Sequence, residues 1–359
     1  MITSRRPSTL FALMVCAGLS AGAAAQAPCN IPDDVVRSRA LSETDRTLIR
    51  DCVNNNRAAL GAEYEAVRRA RVAMLAPLRV SGVSIEFRAA YSAEAERALA
   101  PLVRSERDDV AINALRIAGE LGTEQGARLC AGALTDKRPG VRMMAAAGLA
   151  RTFVILQTDA TMTAQQIVRV LGDLAQAVRT EQDPLVLDGL AMTYEAAFGL
   201  PTTTAELAQA RGRALLDAAT EYGKRAREGK LGPDAVPAML RISLALREPV
   251  LGTPPPPANV LREVTGLAGD FLAHVLRRVT ARDVGETERA QLGVLVAQSE
   301  NLVSFAARGL NASYAPRNLS EMVASGRDTE FARRVLEVIG AEGELTKQPF
   351  GHPRDRFVR

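Results

Sequence analysis

The sequence predicts an all-α protein: an α-solenoid, or α-α superhelix, of stacked helix pairs behind an atypical N-terminal helical cap. Three observations carry that reading. Apolar residues make up 47% of the 359-residue chain but aromatics only 4%, with no Trp, so the apolar content is nearly all Ala, Leu and Val. Small side chains of high helix propensity suit helices packed close together. A helix–turn–helix unit recurs at an offset of 31 residues, from Val110 to Val141, and helical periodicity bounded by capping residues then continues to about residue 340.

Residues 1–27 read as an export signal. Arg5 and Arg6 form a short basic start, Leu10 to Leu19 an apolar core, and Ala25-Gln26-Ala27 a small-x-small cleavage pattern. Ser8 stands where the twin-arginine route wants Phe or Leu, so the general secretory route fits better. Cleavage near Ala27 leaves 43 basic against 41 acidic residues and no transmembrane segment, and places the chain in the periplasm or cell envelope. That near-neutral balance implies no nucleic-acid partner. Of the basic residues only four are Lys; the arginines are spread along the chain.

Residues 28–100 form the cap segment. Export permits a Cys29–Cys52 bridge, worth about 3 kcal/mol for a loop of this size; two free thiols are the alternative. Cys130, beside Leu129 and Ala131, reads as a small buried hydrophobe. Ser42 caps a long helix through Ile49, Cys52, Leu60, Tyr64 and Val67. Val83, Ile85 and Phe87 alternate as in a short strand, although a loop between helices suits them better.

Helical repeats are expected over 101–252. Val110, Ala114, Ile117 and Ala118 lie on one helical face, Leu121-Gly122-Thr123 stops that helix and caps the next, and the second helix runs through Ala127, Leu129, Cys130 and Leu134. Thr135-Asp136-Lys137-Arg138-Pro139 then makes a seam, with Pro139 suited to a first helical turn. Val141, Ala145, Gly148 and Leu149 repeat the spacing of the earlier set.

This stretch resembles the HEAT repeat, especially the HEAT-like variety first noted in phycobilisome lyases, whose unit carries Asp-x-x-Pro-x-Val-Arg followed by Ala-Ala-x-Ala-Leu-Gly. Asp136, Pro139, Val141, Arg142, Ala145, Ala146 and Leu149 match. The earlier copy matches at Val110, Ala114 and Gly119 and departs at Ser105, Asp108 and Ala111, so the resemblance covers about residues 105–151. It implies a binding module; Cys130 lies in no chromophore motif, and the lyase association does not carry over.

Downstream, Thr163 to Gln166 is a capping box, Asp183-Pro184-Leu185-Val186 starts another helix, and Thr203 with Glu206 caps a helix reaching Arg227. A helix over 234–247 precedes a Pro-rich loop at 253–257. C-terminal helical repeats occupy 258–342, with helices from Leu261 to Val279 and over 286–309, 318–325 and 328–340. Residues 343–359 read as a flexible tail.

Little in the chain suggests chemistry. His274 and His352 are the only histidines, and no metal spacing, Gly-rich phosphate loop or GxSxG elbow occurs, so no catalytic, cofactor-binding or metal residues are assigned and no cofactor is expected. Glu94, Asp108, Asp109, Asp173, Asp188 and Glu195 could serve an α-helical toroid acting on polysaccharides, but read more simply as solvated faces and caps. Arg68-Arg69-Ala70-Arg71, Lys224-Arg225-Ala226-Arg227 and Arg277-Arg278 lie toward helix C-termini, where cations complement the dipole. The function expected is therefore a non-catalytic scaffold for a protein partner, with a polysaccharide enzyme or a lipid- or pigment-carrying solenoid as alternatives. Since the second helix of each pair commonly lines the inner face of a solenoid, Glu124, Gln125 and Arg128 are candidate contact residues.

Overall fold

The computed structural model describes residues 29–201, 204–251, 256–281 and 284–358. The export signal and most of the Pro-rich loop lie outside the described residues. Helices account for the described structure, and no strand occurs among the described residues. In order they are α1 (Asp33–Arg37), α2 (Glu43–Leu60), α3 (Tyr64–Leu75), α4 (Ile85–Val103), α5 (Asp108–Leu121), α6 (Glu124–Ala133), α7 (Pro139–Leu156) and α8 (Ala164–Thr180). The second half comprises α9 (Pro184–Phe198), α10 (Ala205–Arg227), α11 (Val236–Leu251), α12 (Ala258–Thr280), α13 (Glu286–Gly309), α14 (Leu319–Ala324) and α15 (Asp328–Ile339).

Two layers result. Helices α3, α5, α7, α9, α11, α13 and α14 pack each against the next in one; α2, α4, α6, α8, α10, α12 and α15 do so in the other. This is an α-solenoid, with its apolar side chains buried between the layers. The α7 helix is long and apolar enough to cross a membrane, yet it lies in the core between α5 and α9.

The 31-residue period is written in the contacts. Thr123 donates to Ser92 Oγ at 2.9 Å, Lys137 pairs with Glu106 at 2.9 Å, and Arg151 pairs with Glu120 at 2.8 Å, each across an offset of 31. Arg107 and Arg138, the N-cap residues of α5 and α7, stand at the same offset. Arg107 pairs with Asp109 and reaches back to the Gly61 carbonyl at 3.1 Å; Arg138 pairs with Asp136 and reaches back to the Ser105 carbonyl at 2.8 Å. Both arginines lace one interhelical turn to the turn before it. Hydrogen bonds from Arg138 pull the Asp136 carboxyl down to about 2.

Neighbouring odd-numbered helices meet almost backbone to backbone. A Cβ placed on Gly119 of α5 would lie 2.6 Å from Gly148 Cα of α7, and one on Gly148 would lie 2.6 Å from Cys130 Sγ. Such spacing lets hydroxyls cross between helices. Thr152 donates to Gly119 O at 3.3 Å as well as to Gly148 O of its own helix at 3.1 Å. Thr193 in α9 does the same with Ala146 O at 2.9 Å and Gly189 O at 2.8 Å. Both threonines stand four residues after a glycine, in Gly-Leu-Ala-x-Thr.

Several sequence expectations need correction. The helix begun at Ser42 is two helices, broken at Gly61-Ala62-Glu63, and the Val83–Phe87 stretch opens α4 with Ser84 accepting from Phe87 N. Asp109 lies inside the first turn of α5, and α10 is capped by Thr204, whose hydroxyl accepts from Leu207 N; Thr203 lies outside the described residues. The largest difference is at the C-terminus. Residues 343–358 do not hang free: Leu345, Phe350 and Phe357 are buried, and the segment crosses α12. Arg262 donates to Pro349 O at 2.8 Å, His352 meets Thr265 Oγ1 at 2.9 Å, and Arg356 pairs with buried Asp270 at 2.8 Å, which Arg227 of α10 also contacts at 3.1 Å. Gly266 and Gly269 make the room, for a Cβ on either would strike the Arg356 guanidinium or the Phe357 ring. A solenoid's last helices have an open side, and here the tail covers it together with α15.

Two outcomes follow from this packing. Gly119→Ala forces a Cβ into the α7 backbone and is expected to destabilise by at least about 1–3 kcal/mol, the range for overpacking. Gly172→Ala, in α8 with open space around it, is expected to stabilise by about 0.5–1 kcal/mol; urea denaturation of the two variants checks the opposed signs. His274 and His352 are buried, and desolvation, aided by Arg277 and Arg278 or by Arg356, pushes each down to about 4 from 6.5. A depressed base contributes stability that is complete above about pH 6.5 and is lost as pH falls toward 4. The melting temperature of the double variant His274→Gln, His352→Gln should therefore fall less between pH 7 and 4.5 than that of the parent chain.

Candidate protein-binding face

The outward side of the odd-numbered layer is built from residues spaced three and four apart, which share a helix face. Met144, Ala147, Arg151 and Val154 form that stripe on α7, and Leu185, Asp188, Met192 and Glu195 form it on α9. Leu244 and Val294 continue it on α11 and α13. Val72 of α3 is 50% exposed, Val154 42%, Leu185 63%, Leu244 43% and Val294 51%. Single exposed apolar residues need no explanation, but their recurrence on successive helices of one layer does. Between α9 and α11, Arg241 is held by Asp188 at 2.9 Å and Glu195 at 3.0 Å, so the middle of the face carries little free charge.

At the N-terminal end the same face is basic. A groove of about 500 Å³ runs between α3, α5 and α7, walled by Arg71, Arg79, Arg116 and Arg151 with Val72 and Met144. These arginines come from positions 71 to 151 and no two are adjacent in sequence. Read linearly they look evenly scattered, and only the stacking of helices gathers them.

The sequence candidates lie on the other layer. Glu124 and Arg128 wall a groove of about 430 Å³ between α6 and α8 that also holds Asp173. Glu124 accepts from Gln166 and from Arg169, and Arg128 is paired with Glu96 of α4. Both therefore link neighbouring helices of their own layer. Gln125 is half-buried on α6 beside them. The structure brings Cys29 and Cys52 together in a disulfide with Cα atoms 4.8 Å apart, tying the start of the described chain to α2, while Cys130 is buried in the core with its thiol pushed up to about 12 by desolvation.

The remaining sequence candidates are mostly occupied. Glu94 faces Arg97 at 3.0 Å and Arg50 at 3.7 Å, Asp108 faces Arg138 at 3.2 Å, and Asp109 faces Arg107 at 2.7 Å. Of the basic clusters, Arg225 is buried and donates to the last carbonyls of α8, Val178 and Arg179, at 2.7 Å each. Arg227 reaches Asp270, Arg277 caps α10 through Ala226 O, and Arg278 pairs with Glu288 at 2.7 Å. Arg68 pairs with Glu65 at 3.1 Å. Two clusters thus serve the fold, and the first alone points into a groove, through Arg71.

Comparison with known proteins returns fold likeness only. No family model matches the chain, and no curated protein matches it. Among solved structures it is similar to Kap121p, at 16% identity over 90% of this chain with a TM-score of 0.41, and spans 35% of that protein's length. Two engineered proteins from a structural genomics consortium are also similar, each at 14% identity. One covers 75% of this chain and 96% of its own with a TM-score of 0.35; the other covers 91% and 97% with a TM-score of 0.30. None of these says what this chain binds.

Exposed ion pairs contribute roughly 0–1 kcal/mol each. Replacing Glu124 or Arg128 by Ala is accordingly expected to cost no more than about 1 kcal/mol in a urea-denaturation measurement.

Proposed function

We propose that this chain is an exported, non-catalytic HEAT-like repeat scaffold that binds a protein partner along the outward face of its odd-numbered layer. The observation that carries the reading is the row of exposed apolar side chains on α7, α9, α11 and α13. A row on consecutive units gives an extended contact surface whose spacing is set by the stack rather than by any loop. The pairing of side chains elsewhere supports it: of the carboxylates that a polysaccharide enzyme would use, Glu94, Asp108, Asp109, Asp188 and Glu195 are tied to arginines, and Asp173 alone lies in the groove between α6 and α8. Export rests on the pattern ending at Ala27 and agrees with the cystine at Cys29 and Cys52, which an oxidising compartment permits.

Affinity capture from a cell-envelope fraction tests the proposal. The parent chain and a control with Gln165→Glu, Gln176→Glu and Asn259→Glu on the even-numbered layer should retain the same protein. A variant with Leu185→Glu, Leu244→Glu and Val294→Glu should lose it while keeping its melting temperature. Retention by all three, or loss by both variants, would contradict the assignment.

A further inference from the structure

The arginine groove at the N-terminal end of the face holds charge that the fold does not use. Arg71, Arg79 and Arg116 make no ion pair with any carboxylate among the described residues, in a chain where most other arginines near a seam do. Glu120 is the one acid on the groove wall, and Arg151 holds it at 2.8 Å. Arg71 is half-buried, and its guanidinium is pushed below the usual range by burial and by the charges of Arg116, Arg68 and Arg79. Arg79, Arg116 and Arg151 are exposed, so the repulsion of like charges is felt most at half-buried Arg71, and an anion joining them would relieve it. Guanidinium forks match carboxylates in two-bond geometry, and Arg151 already holds Glu120 from within the chain through a single bond from Nε to Oε2.

We infer that this groove is the docking site for an acidic segment of the partner protein, its carboxylates on Arg71, Arg79 and Arg116 and an apolar side chain against Val72 and Met144. The inference rests on the scaffold reading and specifies the partner's chemistry. Two features favour an acidic peptide over a nucleic acid. The groove wall contains apolar side chains and no aromatic ring on which a base would stack. The basic patch also stops at α7: on the next helices Arg241 is neutralised by Asp188 and Glu195, so no continuous track for a phosphate backbone exists. A peptide needs only a few such contacts before passing onto the apolar stripe.

Fluorescence anisotropy with a labelled Glu-Glu-Leu-Glu-Glu peptide, its Gln-for-Glu analogue, inorganic phosphate as competitor and a single-stranded oligonucleotide tests the inference on the full chain. The acidic peptide should bind and the neutral analogue should not. Arg71→Gln with Arg116→Gln should weaken binding by about tenfold, which is about 0.7 kcal/mol for each exposed pair, and Val72→Ser should weaken it further. Phosphate should compete only poorly. The same double variant should melt no lower than the parent, since it removes repulsion rather than a contact, and Arg128→Gln with Arg169→Gln should bind as the parent does. Peptide binding unaffected by Arg71→Gln with Arg116→Gln, no binding at all, or tighter binding of the oligonucleotide would each overturn the inference. If the envelope partner is captured by the parent and equally by this double variant, the groove assignment falls while the scaffold reading stands; if the peptide binds but no partner is captured, the scaffold reading falls and takes the assignment to a partner with it.

Discussion

The distance between neighbouring helices of the odd-numbered layer governs everything else in this molecule. Where α5 meets α7, Gly119 lies directly against the Gly148 backbone, and the Gly148 side-chain position is in turn taken by Cys130 Sγ of α6. At that spacing a threonine hydroxyl satisfies a carbonyl of its own helix and one of the next, so polar atoms in a dry interface are hydrogen-bonded rather than stranded. The contact is short and lined by small groups, which ties each helix's position to that of the one before it. Side chains on the far surface then fall into rows.

Those rows are what the chain has to offer a partner. Arg71, Arg116 and Arg151 meet because three helices are held side by side, and Val154, Leu185, Leu244 and Val294 recur for the same reason. Elsewhere charge is spent internally. Arg138 and Arg107 lace turns together, Arg142 holds Glu181 at 2.7 Å, and Arg225 closes the end of α8. On the odd-numbered face Arg151 and Arg241 are likewise paired, whereas Arg71, Arg79 and Arg116 make no ion pair among the described residues.

Much of the architecture was legible before the coordinates. The 31-residue offset between Val110 and Val141 is the offset of the Ser92–Thr123, Glu106–Lys137 and Glu120–Arg151 contacts. Beyond α7 the offsets between contacting residues grow, to 39 for Arg142–Glu181 and 47 for Thr193–Ala146, chiefly because the helices lengthen: α6 has 10 residues, α8 has 17 and α10 has 23. Periodicity in sequence fades there although the stacking does not. The arginine groove was not legible, since its members come from separate helices and each looks like an ordinary surface residue. The tail was misread for a related reason. Its polar composition suggested fraying, but the signal for its docking sits far away, in Gly266 and Gly269 of α12. The choice of Glu124, Gln125 and Arg128 came from a general rule about which helix faces inward, and the partners Gln166, Arg169 and Glu96 could not be inferred from it.

The backbone contact between α5 and α7 is tested most directly by a double-mutant cycle of Gly119→Ala and Gly148→Ala, measured by urea denaturation. A Cβ on Gly119 meets the Gly148 backbone, and one on Gly148 meets Cys130 Sγ of α6 and Leu115 O of α5, so either forces α7 away from the same neighbours and leaves room for the other. The double variant should then be less destabilised than the sum of the single variants by at least about 1 kcal/mol, within the range seen for coupled neighbours. Effects that add to within about 0.5 kcal/mol, as for independent sites, would show that the helices do not touch there, and the stacked arrangement described above would be wrong.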